Sequence, residues 1–456
     1  MHCVNKLIIQ NVNNQLIVLQ IINILKNQFL YCNINHKIFK MKKILLAFVL
    51  LFLTLSFSQN LDVVKNPELY GVSKSRLKTL NDVLHKFVDE KKISGIQTAI
   101  FRKGNLVHSD TYGYSDIETK KPLKENSIYR LASMTKPIVS VALMMLYEKG
   151  NFHLDDPLEK YIPWFKSSKI MDSSGEIYPA LNKIRIIDLL RHTSGIGSDG
   201  GIGYINSLYR EINREEQSNN ETLVKEISGL PLYFEPGTKW KYGLSTTVCG
   251  YLIEVLSKKP LDEFLRERIF IPLGMKDTFF EIPSSKYNRF VTSYTIDENQ
   301  KLQVLDHPLN SFWTKKVTLF RGGGGLVSTM KDYLIFSQML LNKGKYNKVR
   351  LLGRKTIELM TSNHTMSTPN FDGKGLLSIP NLGKGFGLGF SVVTNPAETK
   401  ILNSKGTYGW GGAFGTYFQI DPKEELIYIM MIQRRPYSEL KLREYFQNLV
   451  YQSLTD

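Results

Sequence analysis

The chain has 456 residues, of which 42% are hydrophobic and 22% are charged, a composition typical of globular proteins rather than fibrous or disordered ones. Its formal net charge is +17, from 59 basic and 42 acidic residues. The lysines and arginines are scattered among acidic residues with no long basic run. This charge therefore predicts a solvated basic surface and no nucleic-acid partner.

The stretch MKKILLAFVLLFLTLSFSQN, which begins at Met41, has the pattern of a secretory signal peptide. Two lysines precede an apolar run over 44–57, which is shorter than the roughly 20 residues that a membrane-spanning helix needs. Small residues frame a cleavage point after Ser58. We therefore predict a signal peptide over 41–58, a periplasmic or secreted protein, and no stable membrane span once the signal is removed.

Residues 1–40 are rich in Asn, Ile and Lys and contain no acidic residue. We interpret them as an overlong start with Met41 as the initiator, and an unusual leader or anchor is the alternative. Residues 59–456 are then the mature domain, in which Cys249 is the one cysteine. Because Cys249 lies in an apolar helical pattern, we expect a small core residue rather than a nucleophile.

The first predicted elements of the mature chain are a helix over 76–92 and two strands that turn at 103–105. An apolar helix over 133–149 follows. The next part, about 150–320, is a mixture of helices and long polar loops.

The last predicted elements are an amphipathic helix over 332–344, two strands that turn at 421–423, and a closing helix over 438–453. Strands and helices thus occur at both ends of the chain, while helices dominate the middle. This order predicts an α/β fold with one sheet assembled from both ends and an inserted domain.

The pattern Ser-x-x-Lys occurs four times, at Ser75–Lys78, Ser133–Lys136, Ser328–Lys331 and Ser438–Lys441. In three of them the serine lies where a predicted helix begins, which is typical of an N-terminal cap with an exposed lysine. Ser133 instead precedes a helix that is apolar on nearly every side from Ile138 to Leu146. Residues three apart share a helix face, so Lys136 is expected to point at Ser133 and, when desolvated, to act as its base. An ordinary helix start with a snorkelling lysine is the alternative.

A serine nucleophile also needs a second proton carrier and hydrogen-bond donors for the oxyanion. Tyr242 lies at a loop edge just before a predicted helix, in EPGTKWKYGLSTTVCGYLIE. In YGWGGAFGTYFQID, Gly409, Gly411 and Gly412 lead into a strand, and glycine lets a substrate approach the backbone closely. Core packing for the tyrosine and a simple turn for the glycines are the alternatives.

With these three stretches in this order, the sequence resembles the serine β-lactamase and penicillin-binding-protein superfamily, and most closely class C β-lactamase-like proteins and their esterase branch. The resemblance covers roughly residues 70–450 and includes IRIIDLLRHTSGIG (184–197), IFIPLGMKDT (269–278) and RGGGGLVSTMKDYLIFSQMLLNKG (321–344). It implies a β-lactamase-like α/β fold with an antiparallel sheet, flanking terminal helices and an inserted, mostly helical domain.

By this resemblance Ser133 is the acylated nucleophile, Lys136 its base, and Tyr242 the proton shuttle to the leaving group. The backbone N–H groups of Ser133 and Ala413 would form the oxyanion hole. The residues expected to contact the substrate are Leu244, Trp410, Gly411 and Gly412. Leu244 replaces the asparagine of the family's Y-x-N motif and Trp410 replaces the lysine of K-T-G, which is typical of the esterase branch.

The predicted function is therefore an exported serine hydrolase, most simply a carboxylesterase for short acyl esters, with a small-molecule ester or amide as its substrate. One alternative is a class C-type β-lactamase or D-alanyl-D-alanine carboxypeptidase, and another is a catalytically weak binding protein. No metal or cofactor is predicted, because H-E-x-x-H is absent and Gly322–Gly325 lack the Lys-Ser/Thr ending of a phosphate loop. His192 is expected to be structural, and the sequence makes no prediction about oligomeric state.

Overall fold

The computed structural model describes residues 61–172, 174–198, 200, 203–212, 218–365 and 383–456. These residues belong to one compact unit, Leu61–Asp456. The predicted extension over 1–40 and signal peptide over 41–58 lie outside the described residues. Within the ranges given, no helix is both long and apolar enough to cross a membrane.

Sixteen strands occur in the described part of the chain, most of them short. In chain order they are β1 (Gly95–Arg102), β2 (Asn105–Asp116), β3 (Lys121–Pro122), β4 (Ile128–Arg130), β5 (Lys169–Met171), β6 (Ile177–Pro179), β7 (Ser293–Ile296), β8 (Leu302–Asp306), β9 (Val327–Thr329), β10 (Lys345–Tyr346), β11 (Val349–Arg350), β12 (Lys384–Phe386), β13 (Ser391–Val393), β14 (Tyr408–Gly411), β15 (Tyr417–Asp421) and β16 (Leu426–Met431).

The main sheet has eight strands in the order β12-β13-β14-β15-β16-β1-β2-β3, and its neighbouring strands are antiparallel. The β1–β2 hairpin turns at Lys103 and Gly104, which both have positive φ. β1 from the beginning of the domain pairs with β16 from its end. The sheet is therefore assembled from both ends of the chain, as the sequence predicts.

The helices surround this sheet and fill the middle of the chain. In chain order they are α1 (Lys74–Asp89), α2 (Thr135–Glu148), α3 (Ile186–Leu190), α4 (Tyr204–Ile212), α5 (Asn220–Gly229), α6 (Ser245–Ser257), α7 (Leu261–Leu265), α8 (Ile271–Leu273), α9 (Met330–Leu341), α10 (Arg354–Thr361), α11 (Pro396–Thr399) and α12 (Leu442–Gln452).

The two faces of the sheet pack against different helices. Along β16, Ile427 and Ile429 belong to the larger hydrophobic core, which includes α2, α6 and α9, whereas Tyr428 and Met430 belong to a second core. That second core is formed with the terminal helices α1 and α12. The alternation follows from the two-residue period of a strand, and both of its faces are covered by helices.

The helix α2 lies inside the larger core. Its residues from Thr135 to Leu146 are all buried, and it packs against α6, which carries the fully buried Cys249. A helix that is apolar on every side requires such a central place. The helices α3 to α8 lie between the two parts of the sheet in sequence, so the predicted α/β fold, with its antiparallel sheet, terminal helices and helical insertion, is confirmed.

Candidate active site

A sharp turn presents Ser133 at the beginning of α2. β4 pairs with β9 and ends at Arg130, and Ala132 then adopts a φ of +45°, which is uncommon for a residue with a Cβ. A single 3₁₀ turn over Ala132–Met134 leads directly into α2, with Pro137 in the first turn of that helix. The serine is consequently half-buried at the surface of the core while the rest of the helix descends into it.

Lys136 is held next to Ser133 by the backbone of the loop before β9. Its Nζ lies 3.3 Å from Ser133 Oγ and donates a hydrogen bond of 2.6 Å to the carbonyl oxygen of Gly323. The lysine is 6% exposed. The loop at Gly323 packs closely against α6, since a Cβ there would lie 2.7 Å from Thr247 Oγ1. The sequence predicted the Ser133–Lys136 pair but gave Gly323 no role, because a backbone carbonyl has no signature in the sequence.

Tyr242 lies two residues before Leu244, which is the residue that precedes α6. Its ring is close to the lysine, with Lys136 Nζ 4.6 Å from the ring centroid. The N–H of Leu244 donates to the carbonyl of Gly197 at 2.9 Å, which fixes the loop. The Leu244 side chain packs at the edge of the larger core and does not line the cleft described below, so its predicted contact with substrate stays a prediction.

Aromatic side chains surround Tyr242 and restrict its ring. Trp410, on β14, lies 5.3 Å from it between centroids, and the indole Nε1 donates to Tyr242 Oη at 3.4 Å. His192 lies 4.9 Å from it between centroids, and Phe386 packs against both His192 and Trp410 at 5.4 Å and 5.3 Å. Trp410 thus supplies a hydrogen-bond donor to the tyrosine as well as an apolar surface.

His192 is fully enclosed and favours the neutral form. Burial, and secondarily the charge of Lys136, lowers the pKa of the imidazole to about 3. Its Nδ1 has no hydrogen-bond partner among the described residues, and its φ is +59°. These features agree with the structural role predicted for this histidine and leave Lys136 as the basic group beside Ser133.

A cleft of about 340 Å³ is lined by Ser133, Tyr242 and Trp410. The residues that line it also include Gly411, Gly412 and Ala413. The N–H of Gly412 donates to the carbonyl of Thr416 at 2.8 Å, and a Cβ at Gly412 would collide with the Leu131 carbonyl. The end of β14 therefore lies directly against the turn that presents Ser133. The exposed Ala413 lines the cleft together with Ser133, and the oxyanion hole expected from their backbone N–H groups stays a prediction.

The Beta-lactamase family model matches residues 80–452 of the chain. This chain belongs to the β-lactamase family. An uncharacterized protein of Mycobacterium tuberculosis is 32% identical over 364 residues, which cover 77% of this chain and 89% of that protein. A Salmonella typhimurium protein named "Putative D-alanyl-D-alanine carboxypeptidase" is 28% identical over 425 residues, covering 87% and 92%.

Among solved structures, EstCE1, "a hydrolase with promiscuous acyltransferase activity", is similar with a TM-score of 0.70 and 23% identity, covering 83% of this chain and 99% of that one. At this identity the likeness concerns the fold. Because β-lactamase family proteins are serine hydrolases, the enzyme class predicted from the sequence is confirmed.

Two residues in the cleft of this β-lactamase family member were missed by the sequence analysis. Lys384 on β12 and Arg443 on α12 both line it. They lie far from the recognised motifs in the chain, and lysines and arginines are frequent in this sequence. A signal that could have found them was the absence of the K-T-G lysine, which raises the question of which other cations reach the cleft.

None of the other three Ser-x-x-Lys serines is the helix cap that the sequence predicted. Ser75 lies inside α1, whose cap is Ser73, and Ser438 begins a 3₁₀ turn that ends before α12. The sequence predicted Ser328 as a helix cap, but it is a fully buried residue of β9, and Thr329 caps α9 by accepting a hydrogen bond from the N–H of Asp332. α9 begins at Met330, two residues before the predicted range of 332–344, because the hydroxyl of Thr329 at the end of β9 takes the capping position. Within the described part of the chain, no cluster of three or more His, Cys, Asp or Glu could hold a metal ion.

Proposed function

We propose that the protein is a carboxylesterase for short acyl esters that works through an acyl-enzyme on Ser133. The observation that carries this proposal is the position of Lys136 Nζ, 3.3 Å from Ser133 Oγ and hydrogen-bonded to the Gly323 carbonyl. A neutral lysine amine can donate one N–H to that carbonyl and still direct its lone pair at the serine hydroxyl. This arrangement suits a nucleophile with an adjacent general base.

In the proposed reaction, Ser133 Oγ attacks the ester carbonyl and its proton passes to the neutral amine of Lys136. The backbone N–H groups of Ser133 and Ala413 stabilise the oxyanion. The bond to the alcohol then breaks, the leaving alkoxide takes a proton from the Tyr242 hydroxyl, and Lys136 returns a proton to the tyrosine. Water attacks the acyl-serine by the reverse route and releases the acid, which restores Ser133.

Trp410 supports an ester rather than an amide as substrate. It gives Tyr242 Oη a neutral N–H donor at 3.4 Å, and a neutral donor stabilises a phenolate less than a lysine cation does. An alkoxide leaves with less assistance than an amine, which must be protonated in order to leave. A weaker proton shuttle is therefore sufficient for an ester.

A second candidate function has an observation in its favour. β-Lactams and peptides that end in D-alanine carry a carboxylate, and Lys384 and Arg443 place two cations in the cleft. These cations could bind such a carboxylate even though Trp410 occupies the position of the K-T-G lysine. The β-lactamase or D-alanyl-D-alanine carboxypeptidase hypothesis is thus the alternative to be tested.

The deciding experiment compares short-chain p-nitrophenyl esters with nitrocefin under the same conditions. We expect kcat/KM for the esters to be at least about tenfold higher, which corresponds to about 1.4 kcal/mol of transition-state preference. Intact-mass detection of an acyl adduct should accompany turnover. Comparable or faster nitrocefin turnover would put the β-lactamase hypothesis first, and no turnover of any probe would favour the catalytically weak binding protein.

We also propose that the enzyme works in the periplasm or outside the cell. The support is the Lys42–Lys43 pair and the short apolar run after Met41. N-terminal sequencing of exported protein should give a sequence that begins close to Gln59. A mature protein that retains residues 1–40 would contradict both the signal peptide and the proposed start site.

A further inference from the structure

The end of the cleft formed by Lys384 and Arg443 is cationic. Among the lining residues in the described part of the chain, Lys384 and Arg443 are basic and none is acidic. Their neighbours Ser391 and Gln419 are neutral and polar. Low-dielectric walls strengthen the field of such charges, so this end of the cleft attracts anions.

Lys384 is unpaired within the part of the chain that the structure describes. Its ammonium forms no hydrogen bond or ion pair with any residue that the structure describes. Burial lowers the pKa of this lysine, and the opposing attraction of the exposed Glu444 and the repulsion of Arg443 are smaller effects. A cation that is partly removed from water and unpaired gains from binding an anion, which would restore the lost solvation.

Arg443 is the fixed charge of the pair. Its Nη2 donates to the carbonyl oxygens of Gly412 and Thr416, each at 2.8 Å, and its guanidinium lies 4.4 Å from the ring centroid of Tyr437. The guanidinium lies directly against the backbone of Gly411, where any Cβ would collide with it. Its buried Nε has no hydrogen-bond partner among the described residues. The positive charge is therefore held beside the end of β14, next to the predicted oxyanion hole.

We propose that the substrate is an ester carrying an anionic group such as a carboxylate, which Lys384 binds with Arg443 as a second, fixed charge, while the ester carbonyl lies at Ser133. This inference rests on the proposed function, because it names the kind of ester that the site takes. The group that carries the anion can be either the acyl part or the alcohol part of the ester.

The test uses two matched pairs of esters, one for each position of the anion. For the acyl side, phenyl 4-carboxyphenylacetate is compared with its 4-carboxamide. For the alcohol side, 3-acetoxybenzoate is compared with 3-acetoxybenzamide. Rates are corrected for spontaneous hydrolysis. We expect a carboxylate preference in kcat/KM of at least about tenfold in one pair, the size expected of a charge-assisted hydrogen bond, and the pair that shows it identifies the side of the ester that bears the anion.

Variants then assign the preference to the residue. Lys384→Met should lower the ratio of carboxylate to carboxamide turnover several-fold, to the part that Arg443 alone supplies, and Lys384→Arg should retain more of it. Lys78→Met, which removes an exposed lysine on α1 paired with Asp82, is the matched control and should keep the full ratio.

Equal kcat/KM values within both pairs for the wild-type enzyme, or a ratio that is unaltered in Lys384→Met, would overturn the inference. The carboxamide esters report on the proposed function separately, since they lack the anion. Their turnover by the wild-type enzyme and its loss in Ser133→Ala would support the esterase even where the anion site fails. No turnover of any of the four esters would contradict both.

Discussion

Two Ser-x-x-Lys segments leave neighbouring strands of this protein and yet have opposite burial. β4, which precedes Ser133, pairs with β9, which contains Ser328. In the first segment the serine is half-buried and Lys136 is 6% exposed. In the second the serine is fully buried and Lys331 is exposed. The same four-residue pattern therefore gives a serine and a lysine in contact in one place and an ordinary strand-to-helix junction in the other.

The difference arises where each strand ends. Ser328 is still inside β9, where its hydroxyl lies 2.8 Å from Thr278 Oγ1. By contrast, β4 ends at Arg130, and the turn at Ala132 places Ser133 beyond the strand. The helix α2 that follows then carries Lys136 inward, whereas α9 carries Lys331 outward. The comparison shows that the spacing of Ser and Lys does not by itself bring the two side chains together. The distance of the serine from the end of the preceding strand decides whether the serine or the lysine faces solvent.

The largest expected effect in this comparison comes from removing the serine hydroxyls, first that of Ser133. Ser133→Ala should lower kcat/KM for p-nitrophenyl esters by at least about 10⁴-fold, because the nucleophile of a catalytic unit is lost. A fluorophosphonate should add once to the wild-type protein, at Ser133, and mass spectrometry of the labelled peptide checks this.

Two controls accompany the serine variant. Ser438→Ala removes the exposed serine of another Ser-x-x-Lys pair and should leave labelling intact. Ser328→Ala should cost about 1 kcal/mol of stability through its lost hydrogen bond but keep labelling. Labelling that survives in Ser133→Ala would refute the assignment of the nucleophile.

The next effect concerns the two lysines. Lys136→Ala should lower kcat by about 10²–10⁴-fold, the usual contribution of a general acid–base group. Lys331→Ala should change kcat by less than about twofold and stability by less than about 0.5 kcal/mol, because it alters only an exposed side chain. Steady-state kinetics with circular dichroism as a folding control measures both. Similar losses of kcat in the two variants would mean that the contrast in burial has no catalytic meaning.

A third prediction concerns the hydroxyl of Tyr242, whose ring centroid lies 4.6 Å from Lys136 Nζ. Tyr242→Phe should lower kcat by about 10²–10⁴-fold if the hydroxyl carries protons. Trp410→Phe keeps an aromatic ring and removes only the indole N–H that donates to Tyr242 Oη, so we expect a smaller loss of about 3–10-fold. An unchanged kcat in folded Tyr242→Phe would show that the tyrosine contributes packing alone.

The sequence predicts those parts of the site that depend on local pattern. The apolar run after Ser133 predicts a buried helix, and the glycines around Trp410 predict a strand that approaches the substrate. Contacts that depend on long-range assembly were missed. The Gly323 carbonyl and the Trp410 N–H each contact their partner across the folded chain, and Lys384 is indistinguishable in sequence from many surface lysines.

The first helix and the main sheet show the same division between local and long-range information. The periodicity of leucines predicts a helix over 76–92, and the structure has α1 at Lys74–Asp89 with Ser73 as its cap. The two ends of the domain are brought together by the pairing of β1 with β16. The strand patterns predict that both strands exist, and the terminal position of each suggested a shared sheet. Their register could not be obtained from periodicity, because every two-residue shift preserves the same alternation.

The smallest expected effect is on the pH dependence of stability, and it arises from His192. This histidine packs against Tyr242, the ring that also contacts Lys136. The folded protein lowers the pKa of this histidine from 6.5 to about 3, mainly by burial. Between these two values the unfolded chain binds a proton that the folded chain does not. The contribution of neutral His192 to stability is therefore fully present above pH 6.5 and is lost as the pH falls, by up to about 1.4 kcal/mol per pH unit.

His192→Asn removes this titration and suits the backbone, because asparagine tolerates the positive φ of +59° at this position. Urea unfolding of both proteins between pH 6.5 and 4 measures the slope. We expect the variant to have lower stability at pH 6.5, since a packed ring is lost, but a shallower decline as the pH falls. Burial also lowers the pKa of His108 to about 4, so some decline should persist in the variant. Parallel curves for the two proteins would mean that His108 or another buried group causes the entire pH dependence of stability. They would also mean that burial does not keep His192 neutral.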